Sequence, residues 1–230
     1  MIQVTYRYCE EYQALFDYFD NLILNELGNC DCWIAGGAVR DFFDFGFVNS
    51  DVDLYFSSDY EYYKANRILS QHEIIDESLS AKLIRTEKCM IHLVKKHYYS
   101  VPQETIDHFD FTVCCAAVSK NAFCYHRNFF KDLRVKELLL HSLTYPLSTL
   151  QRVVKYRRKE FTISNHTLMT IVNKIAEIND KITIENPDSY YPIERAKAVE
   201  EILEDPLIKP IIEETTQELV EEDLISNKSW

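Results

Sequence analysis

The sequence predicts an α+β protein. A head with a mixed β-sheet flanked by helices spans residues 1–145, a basic helix spans 146–165, and a small all-helical acidic region spans 166–230. Three observations carry this division. Short apolar runs of strand length alternate with helix-period segments as far as about residue 140. After Pro146 only helical patterns remain, punctuated by Pro187, Pro192, Pro206 and Pro210. Charge also separates along the chain. Residues 127–159 carry a local net charge of +7, whereas 194–223 hold eleven carboxylates against Arg195, Lys197 and Lys209 for a net of −8.

The elements follow in order. Over 8–27, Tyr12, Leu15, Phe16, Phe19, Leu22 and Ile23 recur at helical spacing, and Gly28 supplies the C-cap. Residues 32–35 form a short apolar strand ending at Gly36-Gly37, and 38–45 form a helix ended by Gly46. A second strand is expected over 52–56, then a helix over 59–69 capped by Ser57 or Ser58. Residues 82–86 and 89–94 read as a strand pair, 109–118 as a longer buried strand, and 123–126 as a short strand before a helix over 130–140. Further helices are expected over 147–160, over 166–178 after an Asn165 N-cap, and over 192–203 and 207–220.

Composition narrows the classes. With 230 residues and 47% hydrophobic content the chain can bury a substantial core. No apolar run approaches the ~20 residues that cross a bilayer, and the start lacks a signal-peptide core, so a cytoplasmic protein without a membrane partner is expected. A net charge of −12 argues against a broad nucleic-acid face and against a DNA duplex as partner. Seven cysteines, an odd number with no export signal, read as buried thiols; Cys30-x-Cys32 lacks the second ligand pair of a zinc site. The seven histidines show no ligand spacing, and His92 reads as a core or edge residue of its strand.

Glycine is scarce, with only four residues, yet two are adjacent between a strand and a helix. At such a junction backbone N–H groups can cradle a phosphate, with Arg40 one turn into the helix as its charged partner; an ordinary tight turn is the competing reading. Asp51 and Asp53 share one face of their strand because side chains alternate with period 2. Two carboxylates so placed, with Val52, Leu54 and Phe56 packed on the other face, suit a shared divalent cation better than a solvated edge. Asp110 either faces the same cleft or caps a turn.

Taken in order, Gly36-Gly37-Ala38-Val39-Arg40-Asp41, then Asp51-Val52-Asp53-Leu54, then Asp110-Phe111-Thr112 resemble the nucleotidyltransferase superfamily that includes DNA polymerase β. Within it the nearest likeness is to the head of class II tRNA CCA-adding enzymes and bacterial poly(A) polymerases, over roughly residues 12–163. The resemblance implies a nucleotidyltransferase-fold head with an active site in a cleft. It implies that Gly36 and Gly37 hold a nucleoside triphosphate with Arg40. It makes Asp51 and Asp53 the ligands of two Mg²⁺ ions, with Asp110 completing the metal site or binding the ribose. Arg152, Lys155 and Arg157 would help hold the nucleotide. The chain also departs from the family: His108-Phe109 replaces its paired arginines, Ser148 stands where an arginine is usual, and its Glu-Asp-x-x-Arg base-reading motif is absent from 160–200.

The expected function is therefore Mg²⁺-dependent transfer of a nucleoside monophosphate from an NTP donor, ATP among them, to a hydroxyl with release of pyrophosphate. The acceptor is an RNA end, as in RNA processing, or a small molecule or a protein. The alternative is a catalytically silent scaffold of the same fold, working through its acidic helical tail.

Overall fold

A computed structural model describes residues 1–7, 9–179, 204–206, 208–210 and 213. The chain divides into two compact units, Met1–Val135 and Lys136–Trp230.

The first unit is organised around an eight-stranded sheet. Its strands are β1 (Ile2–Tyr6), β2 (Cys32–Ala35), β3 (Val52–Phe56), β4 (Glu73–Glu77), β5 (Ala81–Arg85), β6 (Met90–Val94), β7 (Ala116–Ser119) and β8 (Ala122–His126), in the order β1-β8-β7-β2-β3-β6-β5-β4. The β3–β6 pair is parallel and the others antiparallel, so the sheet is mixed and the chain is α+β. Parallel pairing needs a crossover; here helix α3 (Asp59–Ile68) and the β4–β5 hairpin supply it.

Helices cover both faces. On one side Ile34, Val52, Leu54, Phe56, Leu93 and Val118 are buried. Helix α2 (Gly37–Phe45) packs against β2, β3 and β7, and α3 against β3 and β6. The Ser58 hydroxyl caps α3 by accepting the Glu61 N–H, and Tyr62 stacks edge-on against Phe56 with ring centroids 5.5 Å apart. On the opposite face Trp33, Ala35, Cys115, Ala117 and Cys124 form a cluster with Ile106 of α4 (Pro102–Asp107). The Trp33 indole N–H donates to the Thr105 hydroxyl at 2.9 Å, which satisfies a buried donor.

Several expected elements take a different form. The helix expected over 8–27 is a 3₁₀ turn (Glu10–Tyr12), helix α1 (Gln13–Phe19) and a π-helical turn (Asp20–Leu24), in which the Asn25 N–H donates to the Asp20 carbonyl. The buried strand expected over 109–118 is a 3₁₀ turn at Thr112–Cys114 followed by the shorter β7, so Cys114 and Cys115 do not alternate across a strand. Every residue from Asp110 to Val118 is buried, so apolar periodicity could not separate turn from strand. The Thr112 hydroxyl donates to the buried Asp132 carboxylate at 2.6 Å and pins the turn to helix α5 (Phe129–Val135). The helix expected over 130–140 ends there, because Lys136 adopts a left-handed φ of 54°. Strands β1 and β4 and helix α4 were not anticipated; every residue of β4 is exposed, which leaves no apolar alternation to read.

In the second unit α6 (Pro146–Arg157) packs on α7 (Asn165–Asn179), burying Leu150, Val153, Leu168 and Ile171. Asn165 is the first helical residue, and Ser164 supplies the cap by accepting the Thr167 N–H at 3.2 Å. The helix expected over 192–203 lies outside the described residues, as does that over 207–220 apart from 208–210 and 213. Among the described residues no helix is long and apolar enough to cross a membrane, and the seven cysteines are free thiols.

Thr112→Val should lower stability by about 1–3 kcal/mol, the cost of stripping a buried carboxylate of its donor. Denaturant unfolding checks this. A loss below ~0.5 kcal/mol would mean that the turn does not depend on this bond.

Candidate functional site

The site is built where β2 ends and β3 begins. These strands are antiparallel, with Ala35 opposite Asp53. The turn that leaves β2 at Gly36 therefore lies beside the carboxylates that enter β3. Gly36 takes φ 82° and ψ −128°, a region open to glycine and closed to residues with a Cβ. Its N–H donates to the Ala116 carbonyl at 2.9 Å, which ties the turn to β7, and its own carbonyl accepts the Arg40 N–H at the start of α2.

The space that a Cβ would fill at each glycine faces other side chains. At Gly36 it meets the Phe109 ring at 3.5 Å; at Gly37 it meets the Ser50 Oγ at 3.3 Å and the Arg40 guanidinium at 3.7 Å. Phe109 also lies 6.0 Å from the Tyr55 ring, so aromatic side chains border the turn on the Asp53 face. Ser50 Oγ is buried without a hydrogen bond, directly beneath the turn and next to Asp51.

Arg40 is 3% exposed, and its Nε and Nη2 donate to Asp41 Oδ1. Asp41 Oδ2 accepts the Asn49 N–H at 3.3 Å, so the pair clamps the loop that delivers Asp51. The guanidinium expected to fork onto phosphate is thus engaged inside the fold, and it holds the turn and loop together.

Asp51 is exposed just ahead of β3, and Asp53 is partly exposed on the strand. Across the parallel pair Asp53 faces His92 of β6, whose Nδ1–H donates to Asp53 Oδ1 at 3.1 Å. The His92 imidazole is held above its ordinary pKa, chiefly by this hydrogen bond and further by the charges of Asp53, Asp51 and Asp76. Both carboxylates act on one ring, as their shared strand face requires. His92 is the residue that sequence reasoning missed here. Its signal was the register between β3 and β6, and a lone histidine in a strand carries no spacing that reports it.

Asp110 is buried ahead of the 3₁₀ turn, with Oδ1 accepting the Phe111 N–H at 3.0 Å. Among the described residues no three His, Cys, Asp or Glu side chains converge as a metal-holding group. Of the three aspartates expected as ligands, the pair that reaches solvent is Asp51 and Asp53. That donor set fits Mg²⁺, which is usually held by one or two carboxylates with substrate phosphates and water completing its octahedron. Arg152, Lys155 and Arg157 belong to the second unit: Arg152 and Lys155 are exposed on α6, and Arg157 Nη1 donates to the Phe161 carbonyl at 3.1 Å.

Two outcomes test this geometry. In metal-free buffer the His92 ring, followed by NMR, should titrate above ~6.5, and Asp53→Asn should bring it back toward that value. Because the folded pKa is raised, the contact stabilises the fold fully below about pH 6.5 and is lost as pH rises through the folded value. A wild-type ring titrating at or below ~6.5 would contradict the contact. Separately, Gly36→Ala should cost about 1–3 kcal/mol, read as a fall of several degrees in the thermal midpoint. An unchanged midpoint would mean that the turn is not held in this conformation.

Solved structures share this fold. A CCA-adding enzyme in complex with ATP matches with a TM-score of 0.61 at 18% identity, covering 93% of this chain and 55% of that one. The Thermotoga maritima CCA-adding enzyme bound to tRNA matches with a TM-score of 0.55 at 17% identity, covering 90% and 50%. A tRNA nucleotidyltransferase with a primer tRNA and an incoming ATP analogue matches at 0.54 and 18%, covering 84% and 59%. The chain thus shares the fold of these CCA-adding and tRNA nucleotidyltransferase structures. In sequence, the chain is 30% identical over 172 residues to Gabija anti-defense 2 of Bacillus phage SPbetaL7, covering 70% of this chain and 42% of that protein. The chain thus spans less than half the length of this curated relative. The family model for Gabija anti-defense 2 proteins matches residues 10–136, more than half of the chain and the whole of the site on β2, α2 and β3, and the chain belongs to that family.

Proposed function

We propose that this protein counters the Gabija defence as a Mg²⁺-dependent nucleotidyltransferase, moving a nucleoside monophosphate from an NTP to a hydroxyl with release of pyrophosphate. The observation that carries the reading is the β2–β3 register. It sets a glycine turn at a helix N-terminus beside Asp53 of β3, with Asp51 just ahead of the strand. Such a turn suits a triphosphate, and the carboxylates suit its cation.

In this reading Gly36 and Gly37 present backbone to the phosphates, while Arg40, through Asp41, keeps the Asp51 loop against the turn. Asp51 and Asp53 hold Mg²⁺, which when bound supplies Lewis acidity at the α-phosphate and a counter-charge for pyrophosphate. The acceptor hydroxyl oxygen bonds to the α-phosphorus and gives up its proton to solvent, as the bond from the α-phosphorus to the bridging oxygen of the leaving pyrophosphate breaks. Asp110 supports the site from the adjoining turn or meets the ribose. The acceptor is an RNA end, a small molecule or a protein. The paired arginines and base-reading motif of CCA-adding enzymes are missing here, which argues against a stand-alone CCA-adding activity.

A scaffold reading also has an observation in its favour: Asp53 and Arg40 are both already hydrogen-bonded to protein partners. Calorimetric titration of ATP, CTP, GTP and UTP with and without Mg²⁺ separates the two. The transferase reading expects Mg²⁺-dependent binding of at least one NTP, weakened about tenfold or more by Asp51→Ala/Asp53→Ala. Absence of NTP binding by the folded wild type would favour the scaffold.

A further inference from the structure

Among the described residues His92 is the titratable side chain that touches a carboxylate of the candidate site, and the proposed reaction assigns it no role. Its place follows from the topology. The parallel β3–β6 pair puts His92 directly opposite Asp53 on the face that also carries Ala35, while the alternate residues Ile91 and Leu93 are buried on the other side. A carboxylate oxygen only accepts, so Nδ1 carries the proton in the 3.1 Å contact with Asp53 Oδ1. A histidine therefore occupies one oxygen of Asp53, while the other and the Asp51 carboxylate have no protein hydrogen-bond partner among the described residues.

Without such a contact an aspartate at a strand start rotates about χ1 and χ2. Fixing one oxygen against a neighbouring strand selects one orientation and removes the entropy that a ligand would otherwise have to overcome. Outer partners of this kind orient metal-ligating side chains, and losing them typically weakens metal affinity by about 10–100-fold. We infer that His92 is a positioning residue, whose Nδ1–H aims Asp53 Oδ2 at the divalent cation that accompanies the nucleotide. This rests on the donor-site reading above.

The two side chains are partly exposed, at 33% and 40%, so replacing His92 does not open the core. The test compares His92→Leu, which removes the donor, with His92→Asn, whose amide nitrogen stands close to the place of Nδ1. The probe is Mn²⁺ with ATP, read as metal affinity by electron paramagnetic resonance and as nucleotide affinity by calorimetry, with thermal unfolding confirming the fold. Mn²⁺ affinity should fall about tenfold in His92→Leu and stay within about threefold of wild type in His92→Asn. ATP affinity measured without metal should not change.

Equal Mn²⁺ binding by wild type and His92→Leu, with Asp53→Ala defective, would overturn the positioning role and leave the donor site standing. Equal loss in both His92 variants would overturn the role of Nδ1. A wild type that binds no Mn²⁺–ATP would overturn the donor-site reading and this inference together.

Discussion

The pairing of β2 with β3 decides where everything else in the site can be. Antiparallel strands in fixed register bring the end of one beside the start of the next, so Gly36 and Asp53 become neighbours although sixteen positions of chain and a whole helix separate them. Slipping the register by one residue would turn Asp53 into the core and Leu54 out to solvent. Val52, Leu54 and Phe56, all buried, hold it against that slip. The apolar face of β3 thus does as much for the site as the carboxylates it displays.

Around that register the site is braced by polar contacts that sit inside the fold. The Arg40–Asp41 pair is buried under the turn and reaches the Asn49 N–H, while Gly36 hangs from Ala116 of β7. Breaking a buried pair by removing one partner leaves an uncompensated charge, which costs far more than the pair itself contributes. The motif arginine and aspartate therefore answer first to the architecture of the turn. At Gly36 a Cβ would meet the Phe109 ring only at ordinary contact distance, so it is the positive φ that calls for glycine, whereas at Gly37 the Ser50 hydroxyl, 3.3 Å away, would have to give way slightly.

Local signals made much of this readable. The strands over 32–35 and 52–56, the Gly46 stop and the Ser58 cap lie within segments whose periodicity and end residues agree. The glycine pair and the Asp51/Asp53 spacing point to the candidate site without any strand pairing. Elements that depend on non-local partners escaped. Strand β1 exists because it pairs with β8, and the wholly exposed β4 because it pairs with β5. The 3₁₀ turn before β7 is set by a threonine reaching an aspartate twenty residues away. His92 escaped for the same reason, since its significance is a register across a parallel pair.

We propose the β2–β3 junction as the donor site for a metal-bound nucleotide. A crystal structure with Mn²⁺ and a non-hydrolysable ATP analogue tests it most directly, because manganese is located by anomalous scattering. The account predicts manganese between Asp51 and Asp53 Oδ2, with the triphosphate along the Gly36–Gly37 backbone. Nucleotide bound elsewhere, or manganese absent from the aspartate pair while the analogue is bound, would contradict it.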